Sequence, residues 1–242
     1  MIDIHCHILP GVDDGAENLR EALLMARMAH NSGTKTMIAT PHFGYGEGRN
    51  SAQTIREHVS RLQQEIRKNG MDLTLLPGME LLCTGSLEKH LEQKDYIPLA
   101  DSHYLLTEFY FDESAHQMDR MLSAIAERGL CPVIAHPERY DAVQQDPVLV
   151  KTWAKQGYGI QINAGSLLGK LGIGAQRTAQ WLVYHGYAHA VASDAHGMEV
   201  RTPQLDLAWE YLEDHFGEDC AQALLLDTPR RILADLPLPR YF

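Results

Sequence analysis

Seven short apolar segments of this chain each end in, or are followed by, a histidine, a carboxylate or an asparagine. The residues are His5, His7, Asp13, Asp14, His42, Glu80, Glu108, His136, Asn163, Asp194 and His196. Each motif alone is weak, because His-x-His and Asp-x-His arise easily by chance in a chain with 13 histidines. Their recurrence at the same place after seven apolar segments is the informative feature, since scattered polar residues would not choose that place repeatedly.

Histidine, aspartate and glutamate without cysteine form a hard-to-borderline ligand set, which suits Mn²⁺, Fe²⁺ or Zn²⁺ better than Cu(I) or an iron–sulfur cluster. The candidate metal ligands are His5, His7, Asp14, His42, Glu80, Glu108, His136, Asp194 and His196. This set is too large for one ion, whereas three ions that share a bridging carboxylate would use all of it. A multi-metal site of this kind is suited to in-line displacement at phosphorus.

The elements that must bring these side chains together are predicted by an alternation of short apolar runs with longer amphipathic stretches, which is typical of βα units and a parallel sheet. The predicted strands are Ile2–Cys6, Lys35–Thr40, Asp72–Pro77, His103–Phe109, Cys131–Ala135, Gly159–Asn163 and Ala188–Ser193. The predicted helices are Glu17–Ser32, Ser51–Asn69, Ser114–Arg128, Ala175–His185 and Gln204–His215, with a short one near Ser86–Gln93.

Seven βα units predict one domain over residues 1–242, an α/β barrel with one unit fewer than the usual eight. Gly33 and Gly70 directly follow the first two predicted helices and are expected to cap them. In α/β barrels the chemistry lies at the C-terminal ends of the strands. The seven strand ends are therefore expected to meet at one rim.

Composition excludes several other classes. A chain of 242 residues with 45% hydrophobic residues can bury a core without a structural metal, so any metal is expected to be catalytic. The net charge of -11 argues against nucleic acid as a partner. The four cysteines form no CxxC pair and are expected to be reduced thiols. With no signal-peptide pattern and no apolar run near the ~20 residues needed for a membrane span, we expect a cytoplasmic protein without membrane insertion.

Taken together, the strand-end motifs resemble the PHP superfamily, and within it the manganese-dependent protein tyrosine phosphatases of bacterial capsule and exopolysaccharide systems. The matching segments are Met-Ile-Asp-Ile-His-Cys-His-Ile-Leu-Pro-Gly-Val-Asp-Asp-Gly at the start, Ala-Thr-Pro-His42, Gly-Met-Glu80, Tyr-Leu-Leu-Thr-Glu108-Phe, Val-Ile-Ala-His136-Pro-Glu-Arg139-Tyr and Ala-Ser-Asp194-Ala-His196. The resemblance covers essentially the whole chain. It implies a distorted (β/α)7 barrel of the PHP fold that holds two or three Mn²⁺ ions, with Fe²⁺ or Zn²⁺ as substitutes.

The resemblance also implies how the ligands divide among the ions. The first ion would take His5, His7, Glu80 and Asp194. The second would take Glu80 as a bridge, together with Glu108 and His136, and the third would take Asp14, His42 and His196. Arg139 matches a family arginine near the phosphate, and Arg201 matches a second one less securely because loop lengths vary there. The implied substrate is a phosphotyrosine protein, a tyrosine autokinase with a tyrosine-rich tail.

For such a substrate we expect hydroxide generated at the metal ions to attack phosphorus in line, without a phosphoenzyme. Four ligand carboxylates against three divalent ions leave the site positive by about two charges, so a phosphate dianion is attracted despite the acidic surface. Arg139 would hold phosphoryl oxygens by a bidentate contact. Its alternative role is a salt bridge with a neighbouring carboxylate such as Glu138.

Three other functions compete with this prediction. A cysteine-based phosphatase needs an arginine six residues after its nucleophile, and the residues at that spacing are Val12, Lys89, Pro137 and Leu226. That class is therefore rejected. A PHP phosphatase for a small metabolite such as histidinol phosphate, or less favourably a PHP exonuclease, would use the same metal site and stays open. A binding module with a decayed site is disfavoured, because every expected ligand is present.

Overall fold

A computed structural model describes residues 1–43 and 51–239 of the chain. Its eight strands pair in parallel and form two sheets, one with the order β1-β2-β3 and one with the order β4-β5-β6-β7-β8. The strands are β1 (Ile2–Cys6), β2 (Thr36–Ala39), β3 (Thr74–Pro77), β4 (Glu80–Leu82), β5 (Tyr104–Glu108), β6 (Cys131–Ala135), β7 (Gly159–Asn163) and β8 (Ala190–Ala192). The predicted α/β architecture with parallel strands is confirmed.

The third predicted strand is followed by a separate strand that the sequence did not predict. β3 pairs with β2, β4 pairs with β5, and only Gly78 and Met79 separate β3 from β4. A Cβ atom on Gly78 would lie 2.8 Å from Cγ2 of Ile38, so a residue without a side chain lets the chain pass close to β2 at this bend. β3 and β4 together thus occupy one of seven positions around the barrel, and Glu80 begins a strand instead of lying in a loop.

Single backbone bridges join the two sheets at two places. Cys6 bridges to Ala195 beyond β8, and His42 beyond β2 bridges to Glu80. Buried Asp3 reinforces the first contact, because its carboxylate accepts hydrogen bonds from the backbone N–H and the hydroxyl of Ser193 at 3.0 and 2.6 Å. The distortion expected of this barrel lies at these two junctions, where isolated bridges replace full ladders.

The helices follow the strands in the expected order. They are α1 (Leu19–Asn31), α2 (Ala52–Lys68), α3 (Leu87–Gln93), α4 (Ala115–Ala126), α5 (Asp141–Gln145), α6 (Val148–Gln156), α7 (Ala164–Leu167), α8 (Ile173–Tyr184), α9 (Asp206–Phe216), α10 (Glu218–Gln222) and α11 (Thr228–Leu233). Short 3₁₀ segments lie at Leu99–Asp101 and Pro137–Arg139, and one π-helical segment at Ala223–Asp227.

All six predicted helices are present, with ends that differ from the prediction by at most two residues. Gly33 and Gly70 follow α1 and α2 with φ of +89° and +68°, as expected of helix-ending glycines. The sequence did not predict α5, α6, α7, α10 and α11, because helices of four to nine residues offer too few turns for a clear period. Among the described residues, no helix combines the length and the hydropathy that crossing a bilayer would require.

The barrel interior is filled from strand residues that alternate along the chain. Tyr104 and Leu106 of β5, Val133 and Ala135 of β6, and Ala190 and Ala192 of β8 pack in one buried cluster. The residues between them, such as Ile134 and Val191, pack outward in a second cluster with the helices. Glu108 lies two residues after Leu106, and Asp194 lies two residues after Ala192, so both continue the inward-facing series. The polar site therefore forms the upper layer of the barrel interior.

Candidate metal centre

The ends of strands from both sheets converge on one buried cluster of histidines and carboxylates. Two of its members, His136 directly after β6 and Asp194 two residues after the end of β8, have φ of +35° and +48°. Non-glycine residues rarely adopt this left-handed conformation, and it recurs at functional sites where the backbone must aim a side chain. Here the turn at each strand end directs the side chain into the barrel mouth.

The first implied ligand group is brought together as expected. Nε2 of His5 and Nε2 of His7 lie 3.2 Å apart, because residues two positions apart along a strand point to the same side. Oε2 of Glu80 lies 3.3 Å from the first of these nitrogens and 3.2 Å from the second. Oδ1 of Asp194 lies 3.4 and 3.6 Å from them.

The other two groups adjoin the first. Nε2 of His136 lies 3.3 Å from Oε1 of Glu80 and 3.5 Å from Oε1 of Glu108, so Glu80 presents one oxygen to each of two groups. Oδ1 of Asp14 lies 3.4 Å from Nε2 of both His42 and His196.

Two histidines belong to more than one group. Nδ1 of His42 lies 3.2 Å from Oε2 of Glu80, and the ring of His7 stacks on that of His196 with centroids 3.8 Å apart. The nine predicted ligands therefore form one continuous cluster, and not three separate sets.

The donor set and its spacing fit divalent cations. Bonds of about 2.1 Å place neighbouring ligand atoms of one ion roughly 3.0–3.4 Å apart, close to the separations in the cluster. Within the described part of the chain, neither carboxylate oxygen of Glu80 accepts a hydrogen bond, although the residue is 1% exposed. A buried carboxylate with no hydrogen bond is costly unless a charge compensates it. Cations shared by both oxygens would supply that compensation.

Residues outside the ligand set hold its members in place. Nδ1 of His7 donates to Oδ2 of Asp13 at 2.7 Å, which turns Nε2 of His7 toward the cluster. The same oxygen accepts the backbone N–H of His42 at 3.0 Å, and Oδ1 accepts the backbone N–H of Gly15 at 3.1 Å. Carboxylate–histidine pairs of this kind orient metal-binding rings and fix their tautomer.

A second chain of contacts runs along β7. Oε1 of Gln161 lies 2.8 Å from Nδ1 of His5, and its Nε2 donates to Oδ1 of Asn163 at 2.9 Å. Nδ2 of Asn163 then donates to Oδ2 of Asp194 at 2.7 Å. His5 and Asp194 are thereby tied to each other through two side chains of one strand.

Both predicted arginines lie beside this same carboxylate. Arg139 and Arg201 donate to Oδ2 of Asp194 at 3.3 and 3.5 Å. The guanidinium carbon of Arg139 also lies 4.5 Å from the ring centroid of Phe111. The alternative role of Arg139, a salt bridge with a carboxylate, is thus present, but its partner is Asp194. The side chain of Glu138 is fully buried and accepts the backbone N–H of Asn163 at 3.0 Å.

The electrostatics of the cluster show mutual compensation between histidines and carboxylates. Burial would lower the pKa of His5, but the carboxylates of Glu80 and Asp194 raise it to about 9. Burial and the charge of Glu80 raise the pKa of Glu108 to about 8. Burial opposes ionisation of Glu80 too, yet His5 and His136 hold its pKa well below the usual range. Metal binding requires deprotonated ligands and releases such protons.

The sequence predicts that the nine ligands and both arginines lie at one site, but it assigns no role to Asp13, Gln161, Asn163 or Phe111. Asp13 and Asn163 lie at predicted strand ends, where the sequence assigns them no function. Gln161 was identifiable because it lies two residues before Asn163 and therefore faces the same side of β7. Nothing in the sequence indicated the contact of Phe111 with Arg139, which joins the ends of two neighbouring strands.

Comparison with known proteins shows close relatives over nearly the whole chain. The family model described as capsular polysaccharide synthesis, CpsB/CapC, matches residues 1–234. The tyrosine-protein phosphatase YwqE of Bacillus subtilis is 37% identical over 219 residues, which are 90% of this chain and 86% of that protein. The tyrosine-protein phosphatase CpsB of Streptococcus pneumoniae is 31% identical over 240 residues, covering 97% and 99% of the two chains.

Solved structures agree with these relatives. A chain from the crystal structures of YwqE of B. subtilis and CpsB of S. pneumoniae, described as unique metal-dependent tyrosine phosphatases, superposes with a TM-score of 0.92 at 35% identity and covers 99% of this chain and 97% of that one. A lactonase from Listeria monocytogenes superposes with a TM-score of 0.62 at 13% identity, covering 96% and 94% of the two chains, which shows a shared fold alone.

Proposed function

Because this chain belongs to the CpsB/CapC family of capsular polysaccharide synthesis, we propose that it is a metal-dependent protein-tyrosine-phosphatase. Relatives named as tyrosine-protein phosphatases support the reaction. One structural observation carries the proposal: nine side chains that could bind cations converge around Glu80, both of whose oxygens are buried without a hydrogen bond from any described residue.

We propose that the cluster holds two or three Mn²⁺ ions. His5, His7, Glu80 and Asp194 would bind one, Glu80, Glu108 and His136 the next, and Asp14, His42 and His196 the third. When bound, such ions lower the pKa of coordinated water and neutralise charge on phosphoryl oxygens. The protein's own part is to hold the ligands rigidly, which Asp13, Gln161 and Asn163 do from outside the cluster.

Arg139 and Arg201 are proposed to bind the phosphoryl oxygens. Their guanidinium groups flank Asp194, and their side chains remain 22% and 28% exposed, so they lie where an incoming phosphate can reach them. With three divalent ions, two arginines and five nearby carboxylates including Asp13, the site keeps about three positive charges. A phosphotyrosine dianion is therefore attracted to it.

The proposed substrate is a phosphotyrosine protein that acts in capsule or exopolysaccharide synthesis, by association a tyrosine autokinase with a tyrosine-rich tail. A cytoplasmic location stays a prediction from the sequence.

The test compares turnover of a phosphotyrosine peptide, a phosphoserine peptide and histidinol phosphate by the Mn²⁺-loaded protein. We expect the phosphotyrosine peptide to be hydrolysed with the highest kcat/KM. Preference for histidinol phosphate would instead identify a metabolite phosphatase.

The catalytic groups are tested separately. His136→Ala or Asp194→Ala should abolish hydrolysis, EDTA should inactivate the enzyme and Mn²⁺ should restore it. A thiol alkylator should have little effect, because Cys6 and Cys83 are buried and no cysteine belongs to the cluster within the described residues. Strong inhibition by the alkylator would revive a cysteine mechanism.

A further inference from the structure

An apolar cleft of about 370 Å³ opens directly beside the proposed metal centre. Two of its lining residues, His42 and Glu108, belong to the ligand cluster. The others are Phe43, Leu82, Phe109, Tyr110 and Phe111. Ligand clefts are mostly apolar with a few polar groups, and typically measure roughly 300–1,000 Å³. This cleft has that composition, and its size suits a single ring with its immediate attachments.

Three consecutive aromatic residues beyond β5 form one side of the cleft. Phe109 is 1% exposed and packs edge-on against Tyr140, with ring centroids 5.8 Å apart, so it belongs to the core. Tyr110 and Phe111 are 54% and 44% exposed. Isolated exposed apolar residues are common, but two exposed rings that line the same cleft next to a reaction site are typical of ligand contacts.

Phe111 connects this wall to the phosphate-binding side. Its ring lies under the guanidinium of Arg139, whose Nη1 donates to Asp194. A cation over a ring face is attracted by the ring's negative face, which restricts the position of the arginine. A phosphoryl group held by the cluster and Arg139 therefore has its ester substituent adjacent to the cleft.

We propose that this cleft binds the phenyl ring of the phosphotyrosyl group and makes the enzyme prefer aryl over alkyl phosphate monoesters. The proposal rests on the proposed function and names its specificity determinants, Tyr110 and Phe111. Aromatic rings stack favourably in offset or edge-on arrangements, whereas a phosphoserine side chain is too short and has no ring to fill the cleft. The described lining residues other than His42 and Glu108 are all apolar or aromatic, as a site for a ring requires.

The test measures binding of two phosphonates that differ only in the ring. The dissociation constants of phenylphosphonate and methylphosphonate are measured calorimetrically with the Mn²⁺-loaded protein and with its Tyr110→Ala and Phe111→Leu variants. We expect the natural protein to bind phenylphosphonate about tenfold more tightly than methylphosphonate. Tyr110→Ala should lose about three- to tenfold in affinity for phenylphosphonate and keep its affinity for methylphosphonate. Phe111→Leu also removes the ring that contacts Arg139, so it should weaken both ligands, and phenylphosphonate more strongly. Tyr184→Ala, which removes a ring that is 76% exposed on α8, is the matched control and should change neither constant.

Hydrolysis of the phosphotyrosine peptide by the same variants provides the second readout. Tyr110→Ala should raise KM with little change in kcat, because the ring leaves the metal ligands and Arg139 untouched. Equal affinity of the natural protein for the two phosphonates, or an equal loss of affinity for both in Tyr110→Ala, overturns the cleft proposal even if the peptide is hydrolysed. If the protein binds phenylphosphonate more tightly than methylphosphonate but hydrolyses no phosphotyrosine peptide, the proposed function is overturned and the ring-binding site is retained.

Discussion

At the scale of single residues, several side chains near the centre divide their polar atoms between two tasks. Asp194 turns Oδ1 toward His5 and His7, while its Oδ2 accepts hydrogen bonds from Asn163, Arg139 and Arg201. His196 resembles it, because Nδ1 lies 2.9 Å from the backbone carbonyl of Asp194 and Nε2 faces Asp14. One atom of each residue fixes its orientation, and the other remains for a cation.

Asp13 only orients other residues and is not a predicted ligand, so its substitution tests the orienting role specifically. In Asp13→Asn one carboxylate oxygen becomes an NH₂ group that faces a donor, either the His7 ring and the His42 N–H or the N–H of Gly15. We expect about 10- to 100-fold weaker Mn²⁺ affinity or activity, partly recovered at high Mn²⁺. Titration of phosphatase activity with Mn²⁺ measures this, with Asp72→Asn, an exposed partner of Lys35, as the control. An unchanged Mn²⁺ dependence would contradict the orienting role.

His189 makes stability depend on pH. Burial lowers its pKa to about 4, against about 6.5 in the unfolded chain. Between these values the unfolded chain binds the proton and the folded one does not, so stability is complete above pH 6.5 and is lost as pH falls toward 4. The loss amounts to about 3 kcal/mol, with a limiting slope of about 1.4 kcal/mol per pH unit.

His189→Gln should remove this slope. Urea unfolding from pH 4 to pH 7 in the presence of EDTA measures the free energy of unfolding of both proteins, and the metal-site histidines contribute equally to each. Parallel pH profiles for the two proteins would show that His189 is not the titrating group.

At the scale of elements, the loop after β1 is shaped by one glycine. A Cβ atom on Gly15 would lie 1.9 Å from the carbonyl oxygen of His7, which also accepts the backbone N–H of Ala16 at 3.0 Å. The loop therefore folds back onto the strand end that it follows. Only this close approach brings Asp13 under His7 and Asp14 toward His42.

Gly15→Ala should displace that loop as a unit. Insertion of a methyl group where backbone atoms cannot give way costs about 1–3 kcal/mol or more, and the shift of Asp13 and Asp14 should weaken Mn²⁺ binding as well. Thermal unfolding and Mn²⁺ titration test both effects. Gly85→Ala is the matched control, because a Cβ there meets nothing within 4 Å. If Gly15→Ala unfolds at the same temperature as the natural protein and binds Mn²⁺ equally tightly, the steric role of Gly15 is refuted.

At the scale of the whole molecule, the proposed centre joins the two sheets. His5 comes from the sheet of β1 to β3, whereas Glu80 and Glu108 come from the sheet of β4 to β8. Within the described residues, the strands of these two sheets are joined only by isolated backbone bridges. Cations bound between them would add contacts where the ladders are absent.

Bound metal should therefore raise the melting temperature. At a free Mn²⁺ concentration 100 times Kd, binding to the folded state alone adds about 2.7 kcal/mol, which corresponds to roughly 5–10 °C for a chain of this length. Calorimetry with EDTA and with Mn²⁺ measures the shift. The shift should shrink in His136→Ala and persist in His116→Ala, whose histidine is exposed and outside the cluster. A full shift in His136→Ala would remove that residue from the ligand set.

The sequence alone determined the parallel α/β class, the seven positions of the barrel, the helices α1, α2, α3, α4, α8 and α9, and the set of candidate ligands. These features follow from local periodicity and from the rule that barrel strands end at one rim, so each is encoded within a short stretch of chain. The capping glycines Gly33 and Gly70 were predictable for the same reason.

Only the tertiary structure decided how those stretches meet. The break between β3 and β4 depends on the contact of Gly78 with Ile38 of another strand. The partner of Arg139 is Asp194, 55 residues away along the chain, and its neighbour Glu138 is turned into the core. The aromatic cleft is formed by Phe43 and Leu82 together with residues 109–111. Such contacts join segments that are distant in sequence, and no local pattern of one segment specifies which atom of another it will touch.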